Sequence, residues 1–103
     1  MIDIGFFSEM ELTAHNNGSI IQHLADNVDY DRSTVVRYLN RFSSGIFCPK
    51  YVKDCITGET IAGCFKVVTD GEYCWPDTLV YHIKKYNIRL PKEFIDKIMN
   101  STV

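Results

Sequence analysis

Two turn signals, Thr57-Gly58-Glu59 and Thr69-Asp70-Gly71-Glu72, divide the stretch from residue 46 to residue 75 into three runs rich in β-branched and aromatic residues. Glycine in each turn supplies the backbone conformations that tight hairpins require. The middle run, 60–69, alternates with a period of two: Ile61, Gly63, Phe65 and Val67 fall on one face, and Ala62, Cys64, Lys66 and Val68 on the other. That is the pattern of a strand. Runs 46–56 and 60–69 form a hairpin, and Tyr73, Cys74 and Trp75 add a short third strand. The centre of the chain is therefore expected to be a three-stranded antiparallel meander.

Helical spacing flanks this sheet. Asn16-Asn17-Gly18 reads as a turn, and Ser19-Ile20-Ile21-Gln22 fits a capping box that opens a short helix over about 19–27. Val35, Tyr38, Leu39 and Phe42 recur at i, i+3, i+4 and i+7, an amphipathic helix that Asp29 or Asp31 can cap. Ser43-Ser44-Gly45 ends it, with Gly45 suited to a left-handed cap. Pro76 opens a third helix whose buried side is Leu79, Val80, Ile83 and Tyr86. Leu90-Pro91 opens a fourth, with Phe94, Ile95, Ile98 and Met99 as its stripe. Ile2, Ile4, Phe6 and Phe7 suggest an opening strand or packed arm. The expected architecture is α+β: two N-terminal helices, the meander, then two C-terminal helices packed on the sheet.

With 103 residues, 46% of them hydrophobic, the chain reads as one domain, 1–103, able to bury roughly two thirds of its unfolded surface without disulfides or metal. No apolar run approaches the ~20 residues of a membrane span. Met1-Ile2-Asp3-Ile4-Gly5 contains an acid and no Lys or Arg, a poor secretory signal, so the expected location is the cytoplasm. Cys48, Cys55, Cys64 and Cys74 include no C-x-x-C pair, and no His stands at ligand spacing from them. Reduced, packed thiols are expected, with no zinc site and no cofactor.

Charge is unevenly distributed. Residues 1–31 carry six acids and no Lys or Arg, a charge of −6; residues 32–103 carry seven acids and eleven bases, a charge of +4. Such a split suggests an internal match or an acidic face turned toward a basic partner, although solvated surface would look the same. Motifs for catalysis are absent. There is no glycine-rich phosphate loop or H-E-x-x-H, and His15, His23 and His82 are far apart in sequence. A Cys74–His82 pair would have to be assembled by the fold. Two helices before a hairpin also permit a winged helix, with Arg32, Arg37, Arg41, Lys50 and Lys53 toward DNA phosphates. The acidic lead-in and the pI of about 5.8 speak against it.

One set of residues carries a resemblance. Thr69-Asp70-Gly71-Glu72-Tyr73-Cys74-Trp75-Pro76-Asp77-Thr78-Leu79, then Tyr81-His82 and Tyr86, then Leu90-Pro91-Lys92-Glu93-Phe94-Ile95, preceded by Val36-Arg37-Tyr38-Leu39 and Gly45, resembles small bacterial immunity proteins of polymorphic toxin systems. It is similar in particular to those of contact-dependent growth inhibition, over roughly residues 30–98. The motif residues themselves read as scaffold: Asp70-Gly71 for a turn, Trp75, Tyr81, Tyr86 and Phe94 for the core, Pro76 and Pro91 for helix starts.

The resemblance implies a non-enzymatic inhibitor, a monomer that binds one toxin domain in a 1:1 complex. A nuclease is the expected toxin, a ribonuclease in particular. Nuclease domains are often basic where they grip phosphates, and an acidic inhibitor face can steer the encounter and cover that site. The expected contact residues are Glu9, Glu11, Asp26, Asp29 and Asp31. Asp54, Glu59, Asp70 and Glu72 at the hairpin ends form a second patch. Tyr30 and Phe6 or Phe7 are candidate aromatic anchors that could equally belong to the core. The alternative is the small winged-helix-like DNA-binding regulator.

Overall fold

The computed structural model describes residues 2–12, 16–42 and 45–101. Among them the chain forms β1 (Ile2–Asp3), α1 (Arg32–Arg41), β2 (Gly45–Cys48), β3 (Val52–Lys53), β4 (Thr60–Ala62), β5 (Phe65–Thr69), β6 (Tyr73–Pro76), α2 (Leu79–Lys85) and α3 (Lys92–Asn100). Single 3₁₀ turns occupy Ser8–Met10 and Ile20–His23. The domain is α+β, but its layout differs from the expected helix–helix–meander–helix–helix order. Among the described residues there are three α-helices, and the strands form a four-stranded sheet in the order β1-β6-β5-β2 plus a separate β3-β4 pair.

The expected helix over 19–27 is a single 3₁₀ turn. Ser19 accepts from the Ile21 amide, as a cap should. The first amide of the turn is taken up from a distant segment: Glu9 accepts from the Ser19 hydroxyl at 2.5 Å and from the Ile20 amide at 2.9 Å. Leu24 then turns extended and bridges Ile88 antiparallel. A short isolated helix is marginal. Here the backbone bonds of residues 23–25 to 87–89 take its place, with Arg89 N–H to His23 O at 2.6 Å and Ala25 N–H to Asn87 O at 3.0 Å.

The expected long hairpin is broken into two ladders. β2 pairs with β5, and β3 with β4. Pro49 has no amide proton to continue the first ladder, and the Val52/Lys53 step shifts register. β5 and β6 form the antiparallel pair expected across Asp70-Gly71. β1 adds a fourth strand by pairing parallel to β6, Ile2 opposite Tyr73 and Asp3 opposite Cys74. Pro76 ends β6 and does not open a helix; it lies opposite Val67, beyond the reach of β1, so its missing N–H is not needed. α2 starts three residues later at Leu79. Pro91 caps α3 from just outside, its carbonyl accepting from Phe94 and Ile95 amides. Asp31, and not Asp29, caps α1, accepting from the Ser33 amide and the Thr34 hydroxyl. Gly45 opens β2, while Ser43 and Ser44 lie outside the described residues.

The pleat separates two cores. Val68 and Trp75, a cross-strand pair, face the helices and join Tyr38, Leu39, Leu79, Ile83, Phe94 and Ile98. Trp75 is fully buried, with the rings of Phe94, Phe42 and Tyr38 at 5.7, 6.0 and 6.3 Å. Phe65 and Val67 face the other way, into a small cluster with Met10 and Val52 that the N-terminal segment and the β3-β4 pair cover. No helix among the described residues is long and apolar enough to cross a membrane.

Candidate functional site

The nine carboxylates expected to meet a partner divide sharply by what they do in the fold. Asp54 is 1% exposed. Its Oδ1 accepts from the Ile56 and Thr57 amides, Tyr81 and Tyr86 hydroxyls bond it at 2.7–2.9 Å, and Lys85 Nζ lies at 3.0 Å. Burial alone would raise this carboxyl, but those amide and hydroxyl bonds outweigh it and hold it far below the usual carboxylate range. Asp70 is equally committed. Its side chain is 1% exposed and takes the Glu72 and Tyr73 amides, the Tyr38 hydroxyl and Lys97. Burial raises its pKa too, and the same hydrogen bonds overcome that and bring it down to about 2. Both groups latch parts of the fold together and offer no surface to a partner.

Glu9 spends its two oxygens on Ser19 and Ile20. Asp31 caps α1 while remaining exposed. Glu72 pairs with Lys97 at 3.0 Å. Glu11, Asp26, Asp29 and Glu59 are exposed and, among the described residues, form no ion pair. These four are not gathered in one place. Glu11 lines a small cleft with Lys50, Tyr51 and Lys53. Glu59 sits beside the Gly58 turn of the β3-β4 pair, at the opposite end of the β4–β5 stretch from Asp70 and Glu72. Asp26 and Asp29 stand on the loop between the Leu24 bridge and α1.

That loop is firmly placed. Tyr30 hydroxyl donates to Ile88 O at 2.6 Å, and Asn87 Nδ2 donates to Asp26 O at 2.8 Å. With the Ala25–Asn87 and His23–Arg89 bonds, these fasten residues 23–30 along 87–89. Between the loop and α3 runs a groove of about 610 Å³, lined by Val28, Tyr30, Leu90 and Ile95 and by the charged Asp29, Arg89, Lys92 and Asp96. Asp26, Asp29 and Asp31 thus project from a rigid strip, three exposed acids within six residues.

The aromatic anchors fall in the interior. Phe6 and Phe7 are core residues, and Tyr30 is buried with its hydroxyl bound. Both ring nitrogens of His82 are occupied: Nδ1 bonds Thr78 O and Nε2 accepts from the Cys55 amide at 3.1 Å. Burial depresses its pKa. His23 Nε2 bonds Asn17 O at 2.8 Å. His15 lies outside the described residues. Cys74 Sγ bonds Asp3 Oδ1 at 2.9 Å, and burial followed by that carboxylate pushes its thiol up to about 12. Cys55 is raised to about 12 by burial and by the charges of Glu9 and Asp54. These thiols lack the thiolate character that nucleophilic chemistry needs. Cys48 is half-buried and Cys64 exposed. Among the described residues no group of three or more His, Cys, Asp or Glu is arranged to hold a metal ion.

A winged helix needs two consecutive helices ahead of the hairpin, and among the described residues α1 is the only α-helix there. Arg32 donates to Asn87 Oδ1 and Arg41 lies over the Tyr38 ring at 5.4 Å, leaving Arg37 as the arginine of the three without either engagement. The buried latch of Asp54 is the site feature that sequence reasoning missed. Part of its signal is local, since Asp54-x-x-Thr57-Gly58 is an Asx-type turn; Tyr81 and Lys85, one turn apart on α2, and Tyr86 just past its end come from 27–32 residues away. Comparison with protein-family models, curated proteins and solved structures finds no match.

Proposed function

We propose that this protein is an immunity-type inhibitor that binds a basic toxin domain, a nuclease and most simply a ribonuclease, in the cytoplasm of the cell that makes both. The observation that carries the reading is the strip holding Asp26, Asp29 and Asp31. Its backbone is fastened to residues 87–89, and its carboxylates are exposed, with no ion pair among the described residues. A preorganised acidic strip loses little freedom on binding and draws a cationic partner in from a distance. The motif that resembles immunity proteins supports the reading in a complementary way. Trp75, Tyr38, Phe94 and Asp70 build and latch the scaffold, which leaves the surface free to specify a partner.

Inhibition on this reading is occupation of the toxin's phosphate-gripping surface, with no bond made or broken by the inhibitor. The test is co-expression with the C-terminal domain encoded by the reading frame immediately upstream. Growth should be rescued by the native chain and lost with Asp26→Lys, Asp29→Lys and Asp31→Asn combined, with thermal unfolding confirming a folded variant. Rescue that survives the combined change would move the contact surface away from this strip. A neighbouring domain that is harmless alone would remove the inhibitor reading itself.

A further inference from the structure

The groove beside the acidic strip has the layout of an interface centre and not of a small-molecule pocket. Its apolar members Ala25, Val28, Leu90 and Ile95 are half-buried, the last three packed against the main core. Asn27, Asp29, Arg89, Lys92 and Asp96, its polar members apart from Tyr30, are all exposed side chains. Ligand pockets fix orientation with a few enclosed polar groups. Protein interfaces instead surround an apolar centre with a charged, solvated rim. The four charged rim residues line one groove yet form no ion pair among the described residues. Their carboxylates and cations therefore remain available to a partner.

The two banks differ in sign. The loop bank contributes Asp29, with Asp26 beside it, and no cation; the opposite bank contributes Arg89, Lys92 and Asp96. The floor is already formed, because Tyr30 hydroxyl holds Ile88 O and the Leu24–Ile88 bridge ties the banks together behind it. Building on the inhibitor reading, we infer that this groove seats a protruding segment of the toxin domain. That segment sets an aliphatic or aromatic side chain on Val28, Leu90 and Ile95, and a neighbouring Lys or Arg against Asp29. The acidic strip guides the encounter, and the groove holds the complex. An apolar anchor in a desolvated pocket is the kind of contact that dominates interface energetics.

The experiment uses the full chain and the upstream-encoded C-terminal domain. Amide shifts of the isotope-labelled native chain are followed as the domain is added. Affinities are then measured for Ala25→Trp, which fills the groove without adding charge, for Asp29→Lys, and for Glu59→Lys as a distant charge control. Expected are shifts concentrated at 25–30 and 89–96, affinity lowered about tenfold or more by each groove variant, and little change for Glu59→Lys. The shift map needs no variant, so a misfolded Ala25→Trp cannot obscure the answer. Shifts confined to other surfaces, with rescue intact, would overturn the groove and leave the inhibitor reading standing. Absence of any binding by the native chain would overturn both.

Discussion

Asp54 accepts hydrogen bonds from two amides, two tyrosine hydroxyls and an ammonium although its side chain is closed to solvent. Removing one partner of such a network leaves the others desolvated and unpaired, which costs more than the bonds themselves contribute. Asp54→Ala should lower unfolding free energy by about 2–4 kcal/mol, read from urea midpoints, whereas Tyr86→Phe should cost about 1 kcal/mol. The pH dependence follows with a defined sign. Asp54 and Asp70 have depressed carboxyl pKa values in the fold, the latter at about 2. Below about pH 4 the unfolded chain binds protons that the folded chain does not, so stability falls steadily from about pH 4 downward. His82 acts in the same direction at higher pH. Its buried ring resists protonation, so the unfolded chain takes up the extra proton and stability declines as pH drops through about 6.5. Replacing His82 with Phe removes a hydrogen-bond acceptor from Cys55 and costs stability at every pH. It should also flatten the slope between about pH 5.5 and 7.5, a change that loss of packing alone would not produce.

Elements in this domain are held by contacts remote in sequence, and that decided what could be read in advance. α1 was legible because its apolar stripe, Val35-Tyr38-Leu39, and its Asp31 cap are local. The β5-β6 turn was legible for the same reason: Asp70 bonds its own neighbours and Gly71 sits at φ 102°. The helix expected after Ser19 failed because its competitor, the Leu24–Ile88 bridge, joins segments no local pattern connects. β1 was suggested by Ile2 and Ile4 but its parallel pairing with β6 was not, since that depends on the whole chain closing on itself. Likewise the acids of the strip were identifiable by composition. That Asp54 and Asp70 would be buried was not, because their partners lie 27–32 residues away. The N-terminal arm also depends on a close approach to α2. Gly5 has φ +74°, and a Cβ there would meet Leu79 Cδ1 at 2.6 Å. Gly5→Ala should therefore destabilise by about 1–3 kcal/mol. It should speed hydrogen exchange at Ile2 and Ile4, whose amides donate to Glu72 O and Cys74 O, before it affects α3.

Across the whole molecule the charge split has a spatial outcome that composition could not reveal. Of the six acids in residues 1–31, Glu9 and Asp31 bind neighbouring backbone or hydroxyl groups and Asp3 meets the Cys74 thiol. Glu11, Asp26 and Asp29 remain exposed without ion pairs among the described residues. Their field extends only as far as salt permits, about 8 Å at 0.15 M ionic strength and about 30 Å at 0.01 M. If the acidic strip guides a basic toxin domain, the association rate should fall steeply as salt rises. The dissociation rate, set by the apolar groove contacts, should change little. Neutralising Asp26 and Asp29 as Asn should reduce the salt slope of association, while Ala25→Trp should leave that slope intact and accelerate dissociation. Stopped-flow mixing across a salt series separates the two. Identical salt slopes for the native chain and the double Asn variant would mean that the exposed acids of the strip take no part in the encounter.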